Sequence, residues 1–306
     1  MLTTDAYHMP ATLAQALTLL AEAPAGSRLV AGATDLLPWA REGRAGDVHL
    51  PALIDVTRID EMSGVSIANG RVRFGANTVY QAFMTEPALA RALPVMPHCA
   101  IWFADDQIRE QATLAGNVVN ASPAADGTPP LVAMNAVIEC ARRDATGTIV
   151  RRAVPIAEFL LGPGRTMLAD GEIVTAITCD DMTGYGGAFE KVGQRRSLVI
   201  AVVNAAALVR TDRTGTRFED VRLAIGGIGP VPLRLAEAEA MLRGQPVSAE
   251  LIARASRLAD DRIASRSRRE YRRTVTRGFI AAVLENALAD CGVPLLAARH
   301  TETADV

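Results

Sequence analysis

Apolar residues in this chain recur at helical spacing, then in alternation, then in short continuous runs, and the order of these changes predicts three units. Leu13, Ala16, Leu17 and Leu20 share one face of a 3.6-residue period, and Thr12-Leu-Ala-Gln15 is a capping box, so a helix is predicted over 12–23, ended by Pro24 and Gly26. Residues 28–31 form a short apolar run that reads as a strand, residues 36–41 suit a short helix, and 52–56 read as the next strand. This first unit closes near Arg58 and spans 1–58.

A second unit is predicted over 59–181. Val65-Ser-Ile67 and Val72-Arg-Phe74 flank Asn69-Gly70, a strong short hairpin signal. Helical segments over 78–103 and 129–134 follow, the latter with proline in its first turn. Strands are expected at 136–140 and 148–152, around the turn Asp144-Ala-Thr-Gly147, and at 172–178. The composition changes at Asp180-Asp-Met-Thr-Gly184, and beyond it come strand-like runs at 186–192, 198–209 and 219–227. Helical stretches near 234–243, 248–264 and 271–289 complete the chain. Strands followed by helices define an α+β unit, here a three-stranded sheet with a helical bundle over 182–290, and 291–306 read as a frayed tail.

Composition narrows the function by exclusion. A chain of 306 residues suits two or three subdomains with room for a large ligand between them. No apolar run approaches the roughly twenty residues of a membrane span, and the first residues lack a secretory pattern, so a cytoplasmic protein with no membrane span is expected. A net charge of −2 and 4% aromatics argue against nucleic-acid binding. The four cysteines include no Cys-x-x-Cys and the four histidines do not pair at ligand spacings, so no metal or iron–sulfur site is expected within this chain. No residue reads as a general acid or base.

What remains is binding chemistry. Leu29-Val-Ala-Gly-Ala-Thr-Asp-Leu36 and Thr113-Leu-Ala-Gly-Asn-Val-Val-Asn-Ala-Ser-Pro-Ala-Ala-Asp126 are both turns of small residues that offer backbone N–H groups and a hydroxyl, as a phosphate needs. Strand, turn and short helix in that order aim such groups at an anion. Neither loop follows the two common nucleotide patterns. Turn and cap preferences alone would also explain Thr34, Asp35 and Asn117, and Phe103 and Ile173 also suit a plain apolar core. Lys191 is the one lysine among 32 basic residues: either a composition effect, or a compact ammonium aimed at one acceptor where a planar guanidinium would not fit. The arginine-dense stretch from Arg262 to Arg277 suits a solvated helix face or a docking surface for an acidic partner.

Together these segments resemble the FAD-binding medium subunit of the molybdenum hydroxylases, the family of carbon monoxide dehydrogenase, xanthine dehydrogenase and bacterial N-heterocycle hydroxylases. The resemblance runs over residues 5–290. It rests on Ala31-Gly-Ala-Thr-Asp-Leu36, Thr113-Leu-Ala-Gly-Asn117, Ala121-Ser-Pro-Ala-Ala-Asp126, Phe189-Glu-Lys191 and Glu270-Tyr-Arg-Arg273. Ala33 and Ala115 each replace a glycine of the family pattern, which adds a methyl near the expected pyrophosphate and restricts positive φ.

The resemblance implies an α+β protein with a two-subdomain FAD-binding fold, of the PCMH or vanillyl-alcohol-oxidase-like type, and a smaller C-terminal α+β domain packed over the cofactor. Val30, Ala31, Gly32, Ala33, Thr34 and Asp35 would cradle the pyrophosphate, with Thr34 as hydroxyl donor. Phe103 and Ala104 would line the isoalloxazine or adenine path, and Thr113, Gly116 and Asn117 would supply further phosphate contacts. Asp126 would accept hydrogen bonds from a flavin or sugar group, and Ile173 would lie at the adenine end. Lys191 would approach the flavin ring, where positive charge stabilises reduced, anionic flavin. The implied function is electron transfer through non-covalent FAD. The partners would be a large molybdopterin subunit that oxidises substrate and a small subunit with [2Fe–2S] clusters, in a dimer of heterotrimers, with an external electron acceptor. A self-contained flavin oxidase or reductase and a non-catalytic nucleotide-binding assembly protein are the rival readings.

Overall fold

The computed structural model describes residues 2–41, 48–195, 198–264 and 267–295. Its first element, strand β1 (Leu2–His8), is absent from the hydrophobic pattern because most of its side chains are exposed and neither face is apolar. Helix α1 (Leu13–Glu22) starts at the expected capping box: the Thr12 side chain accepts from the Gln15 N–H at 3.2 Å, and Gln15 Oε1 accepts from the Ala11 N–H at 2.9 Å. Strand β2 (Arg28–Val30), helix α2 (Leu36–Arg41) and strand β3 (Val48–Asp55) follow. The three strands form a parallel sheet in the order β1-β3-β2.

Strands β4 (Val65–Ala68) and β5 (Arg71–Gly75) are joined through Asn69 and Gly70, whose φ values of 52° and 71° give the left-handed pair that a two-residue hairpin turn needs. The predicted helical stretch over 78–103 is three short helices, α3 (Ala82–Thr85), α4 (Pro87–Ala92) and α5 (Val95–Trp102); α6 (Asp106–Arg109) and α7 (Leu114–Asn120) follow where no helix was expected, and α8 (Thr128–Ala133) stands at the second predicted helix. Strands β6 (Val137–Arg143) and β7 (Ile149–Pro155), helix α9 (Ile156–Phe159), the small ribbon β8 (Leu160–Gly162) and β9 (Arg165–Thr166), and strand β10 (Ile173–Asp180) complete this part. Its five-stranded sheet has the order β4-β5-β10-β6-β7. Central β10 is buried on both faces, which explains why it reads as a continuous run without alternation.

The last sheet is four-stranded, β11 (Gly186–Val192), β12 (Val203–Thr211), β13 (Phe218–Gly226) and β14 (Leu233–Arg234), which corrects the three-stranded expectation. The fourth strand is two residues long and lies where the apolar period already reads as helix. Helices α10 (Ala236–Leu242), α11 (Ala249–Ser256) and α12 (Arg269–Asp290) follow. The predicted helix over 248–264 is α-helical only to Ser256 and continues as a 3₁₀ turn, Arg257–Arg262. Most of the expected frayed tail, 296–306, lies outside the described residues.

Alternation along this sheet joins the two ends of the chain. Phe189, Ala206, Leu208 and Ala224 face the large core that includes α5, while Ala188, Ala205, Ala207, Leu223 and Ile225 face the core under α10 to α12. Strand β11 is pressed from both sides. A Cβ at Gly187 would run into the backbone at Pro94 and Val95, and one at Gly186 would run into the Ala287 carbonyl.

Candidate functional site

A cleft of about 590 Å³ lies between the turn that follows β2 and the start of α7, within the range of small-molecule and cofactor sites. Val30, Ala31, Gly32, Ala33, Thr34, Asp35, Phe103, Thr113, Gly116 and Asn117 line it. Two loops far apart in the sequence therefore face one space.

The turn is held open by its neighbours. Gly32 lies so close to the Gln111 carbonyl that no Cβ could be placed there. Ala33 takes φ 52°, a conformation that glycine adopts without strain, and its methyl packs against the small cluster of Val30, Leu50 and Leu53. The backbone N–H groups of Gly32, Ala33, Thr34 and Asp35 donate to nothing among the described residues. Backbone donors left unpaired beside a cleft suit an anion. Burial raises the Asp35 carboxyl above its ordinary range.

The second loop is a helix start. Thr113 caps α7, its hydroxyl oxygen accepting from the Gly116 N–H at 3.0 Å. This leaves the Thr113 O–H as a donor and engages the Gly116 N–H. Ala115 is buried inside the helix, so the expected restriction on positive φ applies to Ala33 and not to Ala115. Phe103 ends α5, and its ring stacks on Tyr80 with centroids 3.8 Å apart and planes 3° apart.

Four expected residues lie off this cleft: Ala104, Asp126, Ile173 and Lys191. Ala104 follows Phe103 with φ 47°. Ile173 begins β10 in the core and is 2% exposed. Lys191 and Asp126 face each other: Nζ donates to Oδ2 at 2.6 Å, and both side chains are buried. Asn204 Nδ2 donates to the other Asp126 oxygen at 3.1 Å and to the Ala125 carbonyl at 3.3 Å. Lys191 is thus engaged within the fold and stands apart from the residues that line the cleft. An ammonium this deeply buried needs a charge partner, and Asp126 is that partner.

The sequence pattern also passes over part of the wall. Trp39, Val119 and Asn120 line the cleft, as does Gly164, which the ribbon β8 and β9 carries in. Trp39 is 44% exposed in a six-residue helix, and a large aromatic left exposed one turn after an anion loop was the available signal. Nothing in a ribbon this short marks Gly164.

The arginine-dense stretch is partly engaged within the fold. Arg262 pairs with Glu237, Arg277 with Asp260, and Arg272 donates to the carbonyls of Val202 and Gly227. Arg266 lies outside the described residues. Among the described residues no cluster of His, Cys, Asp and Glu could hold a metal ion, and no helix is long and apolar enough to cross a membrane.

The cleft fits a dinucleotide: unpaired N–H groups on one wall suit a pyrophosphate, and Trp39, Phe103 and Val119 offer apolar surface for rings. Residues 3–179 match the family model of the FAD binding domain in molybdopterin dehydrogenase, and residues 188–287 match that of the CO dehydrogenase flavoprotein C-terminal domain. The chain belongs to this family, the FAD-binding medium subunits of the molybdenum hydroxylases. It is an oxidoreductase subunit whose cofactor is FAD. Over 293 residues it is 30% identical to the putative xanthine dehydrogenase FAD-binding subunit of Escherichia coli (strain K12), covering 94% of this chain and 97% of that one. It is 29% identical over 249 residues to the carbon monoxide dehydrogenase medium chain of Hydrogenophaga pseudoflava, covering 80% and 82%. The solved carbon monoxide dehydrogenase of Hydrogenophaga pseudoflava matches with a TM-score of 0.84 at 26% identity, over 94% of this chain and 99% of that one.

Proposed function

We propose that this chain is the electron-transfer subunit of a cytoplasmic molybdenum hydroxylase complex. It would work with a large molybdopterin subunit and a small [2Fe–2S] subunit, in a dimer of heterotrimers. Bound FAD supplies the redox chemistry, linking the partner's clusters to an external acceptor, and the protein tunes and orients it. Val30 to Asp35, with Thr113 and Asn117, hold the cofactor without a covalent bond. The observation that carries this reading is the row of unpaired N–H groups from Gly32 to Asp35, set at the cleft wall opposite a helix start.

The test is purification of the chain with its co-expressed neighbours, followed by denaturation, identification of the released flavin, and metal analysis. FAD in the supernatant, with molybdenum and iron that stay with the partner chains when the complex is split, is the expected result. Substrate turnover by the isolated chain would instead support a self-contained flavin oxidase or reductase. Absence of flavin from the folded chain co-expressed with its neighbours would support an assembly protein.

A further inference from the structure

Tyr80 precedes α3, is fully buried, and has no place in any phosphate loop. A phenylalanine would fill the same space and stack on Phe103 equally well, so packing does not explain the hydroxyl. A buried hydroxyl needs a partner. Tyr80 Oη donates to Asn117 Oδ1 at 3.0 Å. The same oxygen accepts from the Gly127 N–H at 3.2 Å.

This fixes the direction of the Asn117 carboxamide. A backbone N–H can only donate, so the amide atom facing Gly127 is the oxygen, and the group cannot be turned over without losing that bond. Asn117 Nδ2 therefore points the other way. It donates to nothing among the described residues, it is not one of the buried unpartnered atoms, and Asn117 lines the cleft. The same tyrosine backs the cleft's aromatic wall through its stack on Phe103, whose carbonyl is held by Arg109 Nη1 at 2.9 Å. There is no slack around the hydroxyl: a Cβ on Gly127 would collide with it and with Leu114. Burial, with Cys99, Asp126 and Asp35 acting in the same sense, keeps the phenol protonated and hence a donor.

We propose that Tyr80 is a positioning residue of the FAD site: its hydroxyl orients Asn117 so that Nδ2 is presented to an acceptor oxygen of the bound dinucleotide. The role rests on the FAD reading above. Tyr80 touches no ligand itself and acts through Asn117 and Phe103.

The experiment is titration of the flavin-free full-length chain with FAD, beside thermal denaturation of the same flavin-free samples. Tyr80→Phe should weaken FAD binding about tenfold, the worth of one oriented hydrogen bond. Tyr80→Phe added to Asn117→Ala should cause no further loss, because the group being oriented is gone. Asn117→Asp can still accept from Tyr80 and Gly127, so it should fold with an unchanged melting temperature while losing FAD affinity more than Tyr80→Phe does. Unchanged affinity in Tyr80→Phe, or losses that multiply in the double variant, would overturn the role and leave Tyr80 a core residue. A wild-type chain that folds without affinity for FAD would overturn the cofactor reading, and this role with it.

Discussion

The buried pair of Lys191 and Asp126 separates two accounts of the one lysine in this chain. The pair joins β11 to the loop after α7, next to Gly127, whose N–H donates to Asn117 at the cleft wall. Burial raises the Asp126 carboxyl, and Lys191 and Asn204 only partly offset this. Removing the ammonium would leave a buried carboxylate unpaired. Lys191→Met should therefore destabilise the chain by about 3–5 kcal/mol, and Asp126→Asn in the same background should recover most of that loss. Denaturant melts of the single and double variants measure it. A shifted flavin potential with no change in stability would return Lys191 to the flavin ring. At this scale the sequence was legible where chemistry is local: the small-residue turn from Ala31 to Asp35 and the start of α7, both marked by their residue types, line one cleft. The pairing of Lys191 with Asp126, and of Tyr80 with Asn117, was hidden because it depends on how separate segments pack.

Elements were legible in proportion to how well one buried face sets their period. Helix α1, with a capping box and one buried side, stands where the pattern puts it. Strands β6, β7 and β10 start within one residue of their predicted positions and run two or three residues past the predicted ends. Strand β1 escaped because its pairing with β3 is a backbone interaction and buries no side-chain stripe. Strand β14 and the ribbon that carries Gly164 are too short to show any period. Strand β11 offers a different lesson. Gly186 and Gly187 weaken it as an isolated strand, yet their missing side chains let α5 and α12 close on its two sides. That packing sets Lys191, four residues after Gly187, opposite Asp126.

Across the whole molecule, a charged network ties the five-stranded sheet to the last sheet. Arg71 and Arg222 both pair with Asp180, Arg222 and Arg243 with Asp220, and Arg234 reaches both Asn135 and Glu239. Burial alone would raise Asp180, but hydrogen bonds from Arg222 and Asn135 outweigh it and leave the carboxyl below its ordinary range. Asp220 is lowered in the same way, burial being outweighed by Tyr185 and Arg243. A carboxyl held lower in the folded chain contributes stability that is present above its unfolded value, about 3.9, and is lost as pH falls through the folded value. Stability should therefore fall steeply below about pH 4, and Asp180→Asn should flatten that limb. Melting temperatures measured between neutral and acid pH read this directly, and an equally steep acid limb in the variant would remove Asp180 from the account.

The turn from Gly32 to Asp35 should hold the cofactor's pyrophosphate with its unpaired N–H groups. Amide hydrogen exchange at these four residues, compared in the flavin-free chain and after saturation with FAD, tests it most directly. Exchange should be fast without FAD and strongly protected with it, while the buried amides of β10 change little. Saturating FAD that leaves residues 32–35 exchanging as before would contradict it.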